Sequence, residues 1–198
     1  MLFNRYLIRT LNVFSALKPY AFWLAITAIG IGVGILTHLC PSVVGGGYQL
    51  IPNALHYQLA ATPLLLIFLA RLVTTWVSYG TGAPGGIFAP MLALGTAFGM
   101  WFGHYAHLWF PHLIADPTIF AVAGMSALFT ATVGAPLTGI VLVVEMTMNY
   151  AVILPLILTC FSATIMAYLL GGSPIYEALL DRTLRLAKDK ISRDTPVA

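Results

Sequence analysis

Long apolar stretches alternate with short breaks along almost the whole chain. Five stretches are the clearest, at residues 19–39, 61–79, 87–103, 117–133 and 151–170. Each is close to the roughly 20 apolar residues with which a helix crosses the core of a bilayer. None alternates polar and apolar residues as the strands of a membrane barrel do. The pattern therefore predicts several membrane-spanning helices.

The breaks are rich in glycine and proline, and they lie between apolar stretches instead of in long polar loops. Residues 40–63 are less hydrophobic and predict a re-entrant or short broken helix, and further interruptions fall at 80–90, 134–136, 155 and 171–174. Non-helical backbone at membrane depth is tolerated where it lines a cavity or is buried in protein, and transporters use such discontinuous helices. We therefore expect an all-α, polytopic membrane protein with broken and re-entrant helices.

Two apolar stretches carry a stripe of small residues at short spacing. The stripes are Gly30, Gly32 and Gly34, and Gly95, Gly99 and Gly103. Small residues on a membrane helix let a neighbouring backbone come close. Both stripes therefore predict close packing between helices.

Composition and charge agree with a membrane protein and exclude a soluble domain. Hydrophobic residues make up 60% of the chain and charged residues only 8%, against about 25% charged residues in an average soluble domain. Between Lys18 and Glu177 the only formally charged side chains are Arg71, Asp116 and Glu145. The lipid bilayer is therefore the expected surrounding of most of the surface.

The basic residues outside this interval flank the apolar region on both sides. We expect a multi-pass protein of the cell inner (plasma) membrane, and the positive-inside bias predicts that both ends of this chain face the cytoplasm. The net charge of +3 comes from these flanks, so nucleic acid is not an expected partner. We divide the chain into residues 1–18 as an interfacial helix end and cytoplasmic connection, 19–176 as the transmembrane domain, and 177–198 as a cytoplasmic helix and tail.

The break at residues 80–90, GTGAPGGIFAP, holds the most specific chemistry in the sequence. Its glycines also satisfy the dinucleotide pattern GxGxxG, but no acidic residue lies about twenty positions later for the ribose, so that reading is rejected. Small residues here keep side chains away from the start of an uncharged helix, where the amides of Ile87 and Phe88 can bind an anion. An ordinary turn between two helices is the alternative.

A second helix start follows the break at residues 171–174. Ile175 and Tyr176 open the last helix there, and the hydroxyl of Tyr176 can donate a hydrogen bond to an anion inside the protein. The alternative is that Tyr176 is an aromatic residue of the membrane interface.

Three segments resemble the CLC family of chloride channels and chloride/proton antiporters, in the same order and spacing. Gly86-Ile87-Phe88-Ala89-Pro90 matches the family's GxFxP motif, and PLTGIVLVVEMTMNY from Pro136 and GGSPIY from Gly171 are similar to bacterial members. The resemblance implies a chloride ion held by the amides of Ile87 and Phe88 and by the hydroxyl of Tyr176. It also implies a homodimer whose interface includes residues 136–148 and 151–170.

Two further motifs of the family, GSGIP with its serine and GxExP with its gating glutamate, are not found in this sequence. Both belong to the first of the two inverted repeats that form a CLC subunit. The chain therefore resembles the second inverted repeat only, and the resemblance implies a partner, the missing N-terminal half of the fold. Glu145, the only acid within a predicted span, is a functional candidate, but a local structural role near its helix end is the preferred interpretation.

The resemblance implies chloride transport, as chloride/proton antiport, with chloride and protons as the transported species and with neither a cofactor nor an enzymatic activity. Two alternatives stay open: a passive chloride channel, and a non-conducting fragment that needs a partner chain. A third comes from another class. His104, His107 and His112 suggest a membrane metalloenzyme, although the aromatic residues around them are typical of a membrane interface.

Overall fold

The computed structural model describes residues 2–47, 49–56, 61–83 and 85–194, and all regular structure within these ranges is helical. The helices are α1 (Leu2–Ser15), α2 (Pro19–Leu39), α3 (Leu50–Leu55), α4 (Ala61–Gly80), α5 (Phe88–Trp109), α6 (Thr118–Val133), α7 (Pro136–Thr147), α8 (Ile153–Leu169) and α9 (Ile175–Asp194). Short 3-10 helices add Pro41–Val43 and Tyr150–Val152. The predicted all-α class is confirmed.

Helix α5 lies at the centre of the structure, with α3, α4 and α6 packed against it. Every residue from Met91 to Ala97 is buried, so the burial covers all sides of the helix over two turns. A helix that is apolar all round has to be enclosed, either by protein or by lipid. Here the enclosure is protein, and this places the first turn of α5 inside the fold.

The glycines of α5 set how closely α6 approaches. A Cβ atom on Gly95 would overlap the carbonyl oxygen of Gly124, and one on Gly99 would overlap that of Phe120. The predicted close packing at this stripe is therefore confirmed. At the stripe of α2, residues 30–34, a Cβ atom would meet open space on each glycine, so no described element packs there.

Three helical segments are long and apolar enough to cross a bilayer: Pro19–Leu39, Ala61–Gly80 and Tyr150–Leu169. The stretches predicted as spans at 87–103 and 117–133 are helices, but they are not among these three. Helix α6 has only 16 residues. Helix α5 has 22; residues 91–97 are enclosed by protein, whereas Phe98, Phe102 and Leu108 in its second half are exposed. The apolar pattern alone does not distinguish a helix that crosses lipid from a helix enclosed by protein, because both require uncharged residues.

Most of the predicted breaks are present. In the segment 40–63 the chain forms the 3-10 helix Pro41–Val43 and the short α3, while residues 57–60 lie outside the described ranges. Gly134 and Gly171 adopt left-handed φ angles of 80° and 66° at two further breaks. The interruption predicted at Pro155 is wrong, because Pro155 lies in the first turn of α8. Proline is tolerated there, since the first turn donates no intrahelical hydrogen bond.

Helix α1 is more than an interfacial end. Phe3, Leu7 and Leu11 are buried along one face, and the helix packs against α4. Buried apolar residues that recur every three to four positions are the expected pattern of an amphipathic helix. The boundaries of the three predicted domains stay a prediction.

Candidate functional site

The break before α5 leaves a helix start without a side-chain cap. Ile87 is the N-cap residue, and it has no side-chain oxygen with which to accept from the first amides. The first intrahelical bond at this end runs from the amide of Met91 to the carbonyl of Ile87, at 3.2 Å. The amides of Ile87, Phe88 and Ala89 precede it, and Pro90 has none. Helices in proteins usually begin with Ser, Thr, Asp or Asn, which satisfy these amides.

The same helix start is set in apolar surroundings. The side chain of Ile87 is 4% exposed and belongs to the main buried core of the protein. The ring of Phe88 packs edge-on against Phe129, with ring centroids 5.0 Å apart. No acidic residue lies in the first turn of α5. In such surroundings the partial positive charge of about half a unit at a helix N-terminus is weakly screened.

A cavity of about 260 Å³ separates the break before α5 from helix α9. Gly82, Ala83 and Gly85 line it on the side of the break, and Arg182 and Thr183 line it on the side of α9. Glycine at these positions leaves backbone, instead of side chains, facing the cavity. The break and α9 are therefore neighbours across a small space.

Arg182 is held at the end of α1 by three hydrogen bonds. Its Nε donates to Oδ1 of Asn12 at 2.7 Å, and its Nη2 donates to the carbonyl oxygen of Leu11 and to Oγ of Ser15, both at 3.1 Å. A cation at a helix C-terminus is favourable because the last carbonyl groups carry a partial negative charge. The contact fixes α9 to α1 next to the cavity.

Tyr176 is the second residue of α9, and its side chain is 54% exposed. The preceding residue, Ile175, is fully buried in the core that also holds Ile87. Tyr79 lines the cavity beside the break. Ile87 and Ile175, at the starts of α5 and α9, thus belong to one buried core. That the three predicted groups share one anion stays a prediction.

Arg71 is a functional candidate whose role sequence reasoning missed. It lies in the middle of α4, is 1% exposed, and has carbonyl groups as its partners. Its guanidinium donates to the carbonyl oxygens of Ser42 at 2.8 Å, Val44 at 3.1 Å and Gly45. The signal was present in the sequence, because an ionisable residue inside an apolar span is a functional candidate by default.

The turn that Arg71 holds forms one wall of a second cavity, of about 310 Å³. Residues 43–46 line it on one side, and Gly86, Ala89 and Pro90 of the break line it on another. Thr74, Thr75 and Ser78 of α4 complete the lining with their hydroxyl-bearing side chains. The break from residue 80 to residue 90 therefore borders two cavities, one towards α9 and one towards the turn.

The histidines do not form a metal site in the part of the chain that the structure describes, where no group of three potential ligands comes together. Nδ1 of His107 lies 2.7 Å from the carbonyl oxygen of Ile114, and His112 is exposed in the loop after α5. Glu145 is also exposed, near the end of α7. We therefore do not include the histidines or Glu145 in the candidate site at the starts of α5 and α9.

Comparison with known proteins assigns the chain to a family. Residues 1–168 match the voltage gated chloride channel family, and this chain belongs to it. A Vibrio cholerae serotype O1 (strain M66-2) protein named H(+)/Cl(-) exchange transporter ClcA is 56% identical over 160 residues, which are 81% of this chain and 34% of that protein. The Klebsiella pneumoniae (strain 342) protein of the same name is 50% identical over 186 residues, 92% of this chain and 39% of the relative. Membership in a family of transporters sets the metalloenzyme hypothesis aside.

A solved structure agrees with this assignment. The crystal structure of a slow cyanobacterial Cl-/H+ antiporter is similar with a TM-score of 0.89 and 43% sequence identity, over 93% of this chain and 43% of the antiporter chain. The chain thus has the fold of a substantial part of a CLC antiporter. It spans between about a third and two fifths of the length of the curated relatives described above.

Proposed function

We propose that this chain transports chloride by chloride/proton antiport together with a further part of the fold, the N-terminal half, which residues 1–198 do not contain. In this proposal the amides of Ile87 and Phe88 and the hydroxyl of Tyr176 bind chloride. The chain supplies one part of the anion site, and the gating and proton-carrying groups lie outside it. The relatives named as exchange transporters and the antiporter structure support this assignment.

The observation that carries the proposal is the uncapped start of α5. A helix start without a side-chain acceptor leaves amide groups open to another partner, and here Ile87 is buried while Phe88 and Ala89 are half-buried. An anion satisfies them and is attracted by the helix dipole at the same time. Since no cation of a side chain is needed, the anion is not trapped, and this suits a site through which ions pass.

Two surfaces support the proposed partners. Helix α2 has no buried residue, and its exposed face is available to lipid or to the rest of the fold. On α7 and α8, exposed apolar side chains include Leu137, Val141, Leu154 and Leu158, and we place the homodimer interface on these two helices. Burial of such apolar surface against a second copy or against lipid is favourable.

The proposal places the protein in the cell inner membrane with both ends of this chain in the cytoplasm. The basic residues near each end support this orientation, because cytoplasmic flanks carry an excess of Lys and Arg. The three helical segments long enough to span a bilayer support a multi-pass protein. Chloride, protons and the bilayer are then its partners.

The test uses a chimera in which the N-terminal part of the Vibrio cholerae relative is fused in front of this chain. Purified chimera is reconstituted into liposomes loaded with chloride, and chloride efflux and proton uptake are recorded together. We expect coupled movement, with protons driven uphill by the chloride gradient. Chloride efflux without proton movement would instead identify a passive channel, and an assembled chimera that moves no chloride would refute the proposal.

The binding residues are tested in the same chimera with Tyr176→Phe. Loss of one hydrogen bond to a charged acceptor costs about 1.5 kcal/mol, which is roughly a tenfold loss of chloride affinity. Tyr168→Phe is the matched control, because Tyr168 is an exposed tyrosine on α8. If both variants bind chloride as the parent does, Tyr176 is not part of the site. Liposomes with this chain alone are expected to show no chloride flux, and flux there would refute the need for a second half.

A further inference from the structure

Asn4 connects two distant parts of the fold with one side chain. It lies in the first turn of α1 and is 5% exposed. Its Nδ2 donates to the carbonyl oxygen of Thr132 at 3.2 Å and to that of Ser173 at 3.0 Å. An asparagine amide has two protons to donate, and both are used here.

Both acceptors lack a donor from their own helix. Thr132 lies in the last turn of α6, where the carbonyl groups have no intrahelical partner. Ser173 lies in the break before α9, where no regular hydrogen bonding is available. Thr132 is buried, and buried carbonyl groups are nearly always paired. Asn4 thus satisfies one buried carbonyl group at the end of α6 and binds a second one in the exposed break before α9.

The break before α9 is also held from a second side. Gly134, which ends α6 with a φ of 80°, packs against Pro174 so closely that a Cβ atom on it would lie 3.0 Å from Cγ of Pro174. The next residue, Ile175, is fully buried in the core. Three consecutive residues, from Ser173 to Ile175, are therefore fixed by Asn4, by Gly134 and by the core.

Tyr176 follows these three residues directly. Because 54% of its side chain is exposed, packing around its own ring contributes little to its position. The backbone before it sets where the Cα–Cβ bond of Tyr176 begins, and the hydrogen bond from Asn4 to Ser173 holds the start of that backbone segment.

We propose that Asn4 is a positioning residue for the anion site: by holding the carbonyl of Ser173, it sets the distance between the hydroxyl of Tyr176 and the amides at the start of α5. This inference rests on the proposed function. Asn4 does not touch the anion itself, and its effect on chloride passes through Tyr176.

The test is a double-mutant cycle in the chimera described above, with chloride affinity as the readout. Asn4→Leu has a similar size and removes both donors without adding a charge. We expect it to weaken chloride binding roughly tenfold when Tyr176 is present, and by less than twofold in the Tyr176→Phe background, since residues that act as one unit are not additive. Asn4→Gln keeps the amide and is expected to restore part of the affinity.

Two further variants keep the test decisive. Asn4→Ala, a smaller replacement that is easier to accommodate, has to show the same dependence on Tyr176 as Asn4→Leu. Asn149→Leu is the matched control, because Asn149 is an exposed asparagine whose Oδ1 accepts a local hydrogen bond from the amide of Ala151. Its chloride affinity is expected to equal that of the parent.

The outcomes separate this inference from the proposed function. If Asn4→Leu weakens chloride binding equally with and without the hydroxyl of Tyr176, Asn4 supports the fold in general and the inference is overturned. If Tyr176→Phe weakens binding and the two Asn4 replacements do not, the inference fails while the proposed site stands. If Tyr176→Phe itself has no effect, the proposed site is wrong.

Discussion

Replacing Arg71 with methionine is expected to destabilise the protein, because the guanidinium is the donor to three carbonyl groups. Ser42, Val44 and Gly45 supply these acceptors. Methionine fills a similar space and donates nothing. The turn that carries the carbonyl groups would then lose three hydrogen bonds to α4 and keep the one from Oγ1 of Thr74 to the carbonyl oxygen of Val43.

The magnitude follows from the fate of the three carbonyl groups. An unsatisfied buried acceptor costs about 1 to 3 kcal/mol. Two of the acceptor residues are half-buried and Gly45 is exposed, so water replaces part of the loss and the low end of that range applies. About 1 kcal/mol for each carbonyl gives roughly 3 kcal/mol in the free energy of unfolding. Removal of a buried charge that has no carboxylate partner offsets some of this cost.

Arg71→Lys is expected to lose about half as much, since an ammonium group is a point charge and lacks the planar fork of guanidinium. Arg9→Met is the control, because Arg9 is exposed on α1 and surface substitutions usually change stability by less than about 0.5 kcal/mol. The assay is unfolding of the purified protein in mixed micelles by a denaturing detergent, followed by circular dichroism. Equal stability of Arg71→Met and Arg9→Met would refute the role assigned to the guanidinium.

Two more predictions concern contacts between helices. Gly99→Ala places a Cβ atom against the carbonyl oxygen of Phe120, so we expect overpacking to lower the free energy of unfolding by about 1 to 3 kcal/mol. The control is Gly32→Ala, in open space, which is expected to leave the unfolding midpoint unchanged or slightly raised. Equal midpoints of the two variants would contradict the close approach of α5 and α6. Arg182→Ala removes the hydrogen bonds between α9 and the end of α1 and is expected to lower the free energy of unfolding by about 1 kcal/mol. The control is Arg185→Ala, because Arg185 is an exposed arginine of the same helix. Identical stability of the two variants would show that the contact does not hold α9.

Much of the fold was readable from the sequence because its signals are local. Runs of apolar residues predicted helices, and glycine and proline predicted where most of them end, since both residues act on the backbone of their own turn. Pro155 was misread because a proline within the first turn of a helix has the same local appearance as a break. The resemblance in Gly86–Pro90 and Gly171–Tyr176 also depends on short, contiguous strings.

The sequence by itself determined that this is a helical membrane protein and where α5 begins without charged residues. Only the tertiary structure decided that residues 91–97 of α5 are enclosed by protein, that Arg71 holds a turn 26 to 29 positions earlier, and that Asn4 joins carbonyl groups 128 and 169 positions away. The physical reason is that lipid and protein interiors both select apolar side chains, so hydropathy does not report which face meets which neighbour. Hydrogen bonds over such separations depend on how the helices are packed, and no local pattern encodes them.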